Sequence, residues 1–423
     1  MLTGLVLGAL AVGIIVHGYT AAHPVAGAAR AEKKTVEHDP QTPAPTVAAI
    51  PGAQDWIGFH NGGSLDGVAS AIAAPPMKVR WTLKIKDLEA AEPPATAPAT
   101  QPAPVIQGSG HFEGGAAIVH GVVYIADTAG AVRAINLQTG KVIWTFHSDD
   151  GFETTPLVVG GRVFLGDLGG MFFALSADTG KKIWSFDDGG NSIHASANYL
   201  VPNKNQILYA TDGADIFCFD AATGKKIWNA KSGDRVNGVP AVSNGSALVS
   251  GCDSQLRAIR GKDGSEEYSV DLGAVCPGST AVSGDNLVMG TDQGHVICIS
   301  AKKHQQVWMF SQVQQDAMVY SSPAIADGIV VFGARDSNVY GVDLASGKQI
   351  WRFPTRGDVD SSPVISGGRV YVGSKDKKLY VLDLKTGKQL WSFTAGRGIA
   401  ASPAIGDGAL IIADEGGHLF CLE

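Results

Sequence analysis

One phrase returns through this chain at a nearly constant interval, and it fixes the class of fold before any single strand is assigned. TGKKIWSF at 179–186 returns as TGKKIWNA at 223–230, TGKVIWTF from 139, SGKQIWRF from 346 and TGKQLWSF from 386. Worn copies stand at 263 (DGSEEYSV) and 303 (KHQQVWMF), so seven copies lie 40–44 residues apart. A fixed period of this length means copies of one supersecondary unit, each burying its apolar face on the next.

The clearest unit spells four strands: SSPVIS (361–366), RVYVGS (369–374), KLYVLDL (378–384) and KQLWSF (388–393). The glycine of each TGK can take positive φ, as a tight hairpin between the third and fourth strands requires. The equivalents are Gly140, Gly180, Gly224, Gly264, Gly347 and Gly387, while His304 departs from the rule. No helical periodicity competes after residue 50. Four antiparallel strands in about 40 residues describe a β-propeller blade.

Complete units end at Trp144, Trp184, Trp228, Tyr268, Trp308, Trp351 and Trp391. Three further strands (SPAIG, ALIIAD, HLFCLE) follow without a fourth. The missing strand is MKVRWTL at 77–83, with Trp81 in register, and it closes the ring by completing the last blade. The fold class is therefore all-β, an eight-bladed propeller of four-stranded antiparallel blades. Each recurrent ring is a packing element worth roughly 3–5 kcal/mol against alanine. Deleting residues 1–76 is expected to leave the propeller folded, because the closing strand begins after them.

Outside the ring, residues 1–29 contain no Lys, Arg, Asp or Glu, and 2–16 form an apolar run followed by the small residues Ala26, Gly27 and Ala28. This reads as an export signal or, over 2–22, as an uncleaved membrane anchor. Residues 30–54 read as a disordered linker and 89–105, rich in Pro, Ala and Thr, as a disordered loop. The propeller domain is assigned to 55–423. A net charge of −7 provides no basic face for nucleic acid.

The unit SPAI…G.VYVGS.D..LYALD..TGK..W.F resembles the pyrroloquinoline-quinone (PQQ) repeat over residues 77–423, and DWIGFHNGGSLDGVA (55–69) resembles the lead-in of such propellers. One branch of that family comprises quinoprotein dehydrogenases, which bind PQQ and calcium on the axis. Another comprises cofactor-free scaffolds such as the assembly factor BamB. This chain has no adjacent Cys-Cys pair and no long active-site insertions, so it resembles the cofactor-free branch. The resemblance then implies a non-enzymatic, monomeric scaffold in the periplasm or cell envelope, membrane-associated if the N-terminal segment is uncleaved. Its partners would be envelope proteins. The alternatives are a PQQ-dependent dehydrogenase and a sensor of a small ligand in the channel.

No catalytic signature stands in the sequence: no phosphate-binding loop, no H-E-x-x-H and no G-x-S-x-G. His111 and Glu113 form only an isolated pair, and no metal site is assigned. Cys252 and Cys276 fall at neighbouring strand ends, where a disulfide is conceivable after export.

Aspartates recur between the second and third strands: Asp127, Asp167, Asp212, Asp253, Asp292, Asp336, Asp376 and Asp414. They suit tight turns and are expected to make one face acidic. The lysines of TGK fall on the other face. Just before each innermost strand, chemistry diverges: Glu113, Glu153, His194, Asn237, Pro277, Tyr320, Asp360 and Ala400. Convergent polar groups at a concave mouth are the default binding site, so Glu113, Glu153, His194, Asn237, Tyr320 and Asp360 are the candidate partner-binding residues.

Overall fold

The structure is a computed structural model and describes residues 36–38, 54–91, 110–200, 205–314 and 317–423. Eight antiparallel sheets make up the fold, and in the first seven the four blade strands run in sequence order from the axis outward. The eighth sheet combines Ala404–Gly406, Ala409–Ala413 and His418–Leu422 with the early strand Val79–Lys84. Trp81 pairs with Cys421 in that sheet. The seam is sewn by reciprocal backbone bonds between Lys78 and Glu423 and by an ion pair from Arg80 to Glu423.

The recurrent phrase proves to be a joint between blades. The indole N–H of Trp81, Trp144, Trp184, Trp228, Trp308 and Trp351 donates to the backbone carbonyls of Leu137, Ala177, Ala221, Gly261, Leu344 and Leu384 in the following blade, at 2.7–3.1 Å. The glycine of that blade's TGK turn lies against the same ring. A Cβ on Gly387 would stand 2.6 Å from Trp351, and one on Gly180 would stand 2.5 Å from Trp144. Positive φ (66° at Gly387) and close approach therefore both demand glycine. Blade five breaks the rule in a compensated way. Tyr268 replaces the tryptophan, and His304, at φ 53°, stacks on it with centroids 3.7 Å apart.

A second set of inter-blade bonds rings the axis. Each innermost strand places one residue where its side chain meets the preceding blade's backbone: Gly115, Thr155, Ser196, Val239, Ser279, Ser322, Ser362 and Ser402. Wherever that residue carries a hydroxyl, the hydroxyl accepts a backbone N–H from the preceding blade, at 2.8–3.1 Å. Six junctions are tied in this way. Only Gly115 and Val239 lack the group.

Residues 54–69 form a strap across the inner ends of all eight blades. Gln54 accepts from Asp407 of blade eight, Trp56 bonds Ile118 of blade one, and Ile57 accepts from Val158 of blade two. Asn198 of blade three holds both Gly63 backbone groups, and Val242 of blade four also donates to Gly63. Ser64, Asp66 and Gly67 accept from blades five, six and seven at Val282, Ile325 and Ile365. The strap thus closes the channel on the face of the TGK turns. Residues 1–76 thus contain the strap, a set of bonds to every blade that the sequence reading did not include.

Two further features differ from the sequence reading. Ile85–Ala91 is an α-helix that covers the first residues of the expected 89–105 loop. Its apolar pair Ile85 and Leu88 is buried at i, i+3, too short a pattern to register as periodicity. Val36–His38, inside the expected linker, is a strand that adds a fifth member to blade two beside Trp184–Phe186. In the blade strand it joins, Ile183 is 6 % exposed, against 49 % for its counterpart Ile143 in blade one. The export or anchor segment and the rest of the linker and loop lie outside the described residues. Among the described residues no helix is long and apolar enough to cross a membrane.

Gly387→Ala is expected to cost roughly 2–4 kcal/mol, from positive φ and from the clash with Trp351. His304→Ala should cost less, because blade five already tolerates a side chain there. Urea denaturation of the two variants checks the difference.

The strap also carries a pH dependence. His60 is fully buried, stacked on Phe59 and bonded to the Leu65 carbonyl, and burial pushes its pKa down to about 4. A depressed histidine stabilises the fold above its unfolded value near 6.5, and that stability is lost as pH falls toward 4. The loss amounts to about 3 kcal/mol. Subtracting the pH–stability curve of His60→Gln from that of the natural chain should isolate it.

Candidate functional site

The open mouth lies opposite the strap, where the hairpins between second and third strands meet the loops entering each innermost strand. The hydrogen-bond pattern shows that the eight recurrent aspartates occupy three registers. Asp127, Asp167 and Asp414 end the second strand and are buried, each accepting backbone N–H groups of its own turn. Asp253, Asp336 and Asp376 lie two residues further on, where each caps its hairpin and holds an N–H of the adjacent loop. These six are turn formers.

Only Asp212 and Asp292 fall in the register between. There the backbone N–H of each residue donates to the loop beside it. The ring of that register reads Thr128, Leu168, Asp212, Cys252, Asp292, Arg335, Lys375 and Glu415. Two cations stand in it. The expectation of a uniformly acidic face is therefore corrected, because spacing along the sequence cannot distinguish a residue capping a hairpin from one beside it.

The candidate residues gather in two clusters. In blades two and three, His194 Nδ1 lies 2.7 Å from Glu153 and its Nε2 lies 3.4 Å from Asp212. The carboxylates of Asp212 and Glu153 push the imidazole up to about 10, against the opposing effect of burial. In blades six and seven, Asp360 receives Arg335 through Nε (2.8 Å) and Nη2 (3.0 Å), and Lys375 at 2.8 Å. Burial disfavours the charge on Asp360, yet these two cations hold its carboxyl below the usual range. The guanidinium of Arg335 also lies 3.9 Å from the centroid of the exposed Tyr320 ring.

Glu113 pairs with His111 at 3.2 Å, and its hydrogen bond raises that imidazole, with added help from Glu153 and Glu415. Asn237 belongs to neither cluster. Arg335 and Lys375 were missed from the sequence. Their signal was the cation directly preceding the hairpin aspartate in ARD and SKD, which no other blade repeats.

Within the Asp360 cluster, one carboxylate and two cations leave a formal charge of about +1. Two carboxylates around one imidazolium leave about −1 at blades two and three. Exposed Asp149 and Asp150 extend the negative side. The mouth is thus polarised across its diameter.

Cys252 and Cys276 stand as free thiols in the structure. The thiol of Cys276 is pushed up to about 12, chiefly by burial, while Cys252 accepts a bond from Arg235. Among the described residues no group of three or more His, Cys, Asp or Glu side chains is placed to hold a metal ion.

A family model described as outer membrane protein assembly factor BamB matches residues 65–200, 192–316, 269–360 and 296–423. The chain belongs to this family. It is 25 % identical over 243 residues to a curated BamB of Yersinia pestis, covering 54 % of this chain and 53 % of that one. It is 28 % identical over 115 residues to BamB of Nitrosomonas eutropha, covering 27 % of each. The chain therefore spans about half the length of the first relative and less of the second. Among solved structures, a europium-containing methanol dehydrogenase superposes with TM-score 0.71 at 13 % identity, covering 88 % of this chain and 98 % of that one. BamB from Moraxella catarrhalis gives 0.63 at 16 % identity, covering 82 % and 97 %. At such identities these likenesses establish the eight-bladed fold alone.

His194 should remain protonated at pH 8 and release its proton near 10. Any stability it contributes is fully present below about 6.5 and lost as pH rises toward 10. Glu153→Gln should move the titration down, toward 6.5, in an NMR measurement of the imidazole.

Proposed function

We propose that this chain is a non-enzymatic scaffold of the cell envelope that docks a protein partner on its polarised mouth and assists outer-membrane protein assembly. The observation that carries the reading is the arrangement of Tyr320, Arg335, Asp360 and Lys375 facing the Glu153–His194–Asp212 cluster. Opposed charges across one surface orient a partner and set its register more than they add raw affinity. An aromatic ring stacked under arginine supplies the kind of anchor on which interface energy concentrates. Membership of the BamB family supports the envelope setting. A periplasmic location, the anchoring role of residues 1–29 and the monomeric state belong to the same reading.

The competing reading is a quinoprotein dehydrogenase, which requires PQQ and calcium on the axis. The donors at the mouth do not fit that requirement. Asp360 is engaged by two cations, and Glu153 and Asp212 by one imidazole. A calcium ion needs several oxygen ligands free to converge on it.

The test compares two variants in the source organism. Arg335→Gln with Lys375→Gln should reduce the amount of folded outer-membrane β-barrel protein by about tenfold or less, as for loss of one or two interface contacts. Because these changes leave the half-buried Asp360 without its cations, Asp360→Asn is added to the pair, and the melting temperature of that triple variant should hold. Lys181→Gln with Lys225→Gln, on the other face, should leave assembly unchanged. The opposite pattern would move the site to the TGK face. Quinone absorbance with alcohol-dependent dye reduction, on adding PQQ and calcium to purified protein, would replace the scaffold reading by the dehydrogenase.

A further inference from the structure

The strap does more than close the channel. On its outer side, against blades three and four, it forms an open cavity of about 740 Å³. Gly62 and Gly63 take left-handed φ of 69° and 56°, which folds the strap over Tyr199, and a Cβ on Gly62 would stand 2.9 Å from that ring. The Gly63 carbonyl receives the Val242 amide, which fixes the opposite wall. Asn61 is spent internally, accepting from Ile57 and donating to Val68.

Asp66 is different. Among the described residues its carboxylate accepts the Val68 N–H at 3.0 Å and the Ser64 hydroxyl at 3.2 Å and no other bond. No Lys or Arg is among the described residues lining the cavity. Burial raises its pKa, as expected for a carboxylate removed from water without a cation, and its charge also discourages ionisation of Tyr199. A partly desolvated carboxylate with spare lone pairs favours a cationic donor over a neutral one. Lys225 and Lys226 of the blade-three turn are exposed, where solvent screens them.

We infer that this cavity binds a primary ammonium on a short aliphatic stem, with the ammonium at Asp66 and the methylenes against Val68, Val242 and the Tyr199 ring. A lining whose one charged member is a half-buried carboxylate, with Val68, Val242 and Tyr199 among neutral polar side chains, is complementary to an alkylamine or a lysine side chain. They offer an anionic ligand no donor charge.

Titration calorimetry on the full chain tests this with n-pentylamine, N-acetyl-lysine methylamide and n-pentanol. At least one amine should bind and pentanol should not. Binding of pentylamine alone would identify a free small amine as the occupant, and binding of the lysine amide would identify a protein side chain. Asp66→Asn should weaken amine binding about ten- to a hundredfold, as for loss of a charge-assisted bond. Ser70→Lys, an exposed lining residue that brings its own ammonium, should abolish binding even if Asp66→Asn folds poorly. Failure of both amines to bind, equal binding of pentanol, or amine affinity unchanged in a folded Asp66→Asn or in Ser70→Lys would overturn the inference.

Discussion

The structure depends on a tryptophan of one blade lying on the glycine turn of the next. Neither half of that joint is useful alone. The indole N–H needs a carbonyl that only the following blade supplies, and the ring needs a turn with no Cβ in its way. A unit of about 40 residues cannot bury such a ring by itself, so stability comes from neighbours. The two irregular junctions show the same rule. Tyr268 and His304 depart from the pattern on the two sides of one junction and stack on each other, and Trp391 lies in the blade before the last, which has no TGK turn of its own.

Two further devices turn a row of blades into a closed ring. The hydroxyl belt near the axis satisfies backbone N–H groups that would otherwise be buried without partners. The strap does comparable work at the other end of the innermost strands, bonding to each blade in circular order. Its buried neutral His60 makes that contribution sensitive to acid. Belt and strap together also decide where ligands can enter, since one end of the channel is covered and the other left open.

The polarity of the open mouth follows from register. Six of the eight hairpin aspartates are consumed in shaping turns, so the charge available to a partner comes from positions between them. There Asp212, Arg335 and Lys375 differ where a repeat would predict sameness. Divergence inside a regular frame is what a binding surface requires, because packing constrains the frame and leaves the rim free.

By itself the sequence determined the architecture. Period, turn glycines and the orphan strand at 77–83 are local signals, and local signals survive without coordinates. It also located the mouth, since the residues before each innermost strand do form two clusters there. What only the tertiary structure decided was partnership. Asp360 was legible as a polar rim residue, but its cations come from the hairpin of its own blade and that of the preceding one, and the ARD and SKD signals that mark them do not say which carboxylate they meet. The serines of SSP read as strand starts until neighbouring blades showed their hydroxyls to be ties. Residues 55–69 resembled a lead-in, yet their role as a strap, and the carboxylate of Asp66 in its cavity, required eight separated strands to converge. Repetition encodes how one blade folds, and closure of the ring determines which side chains meet.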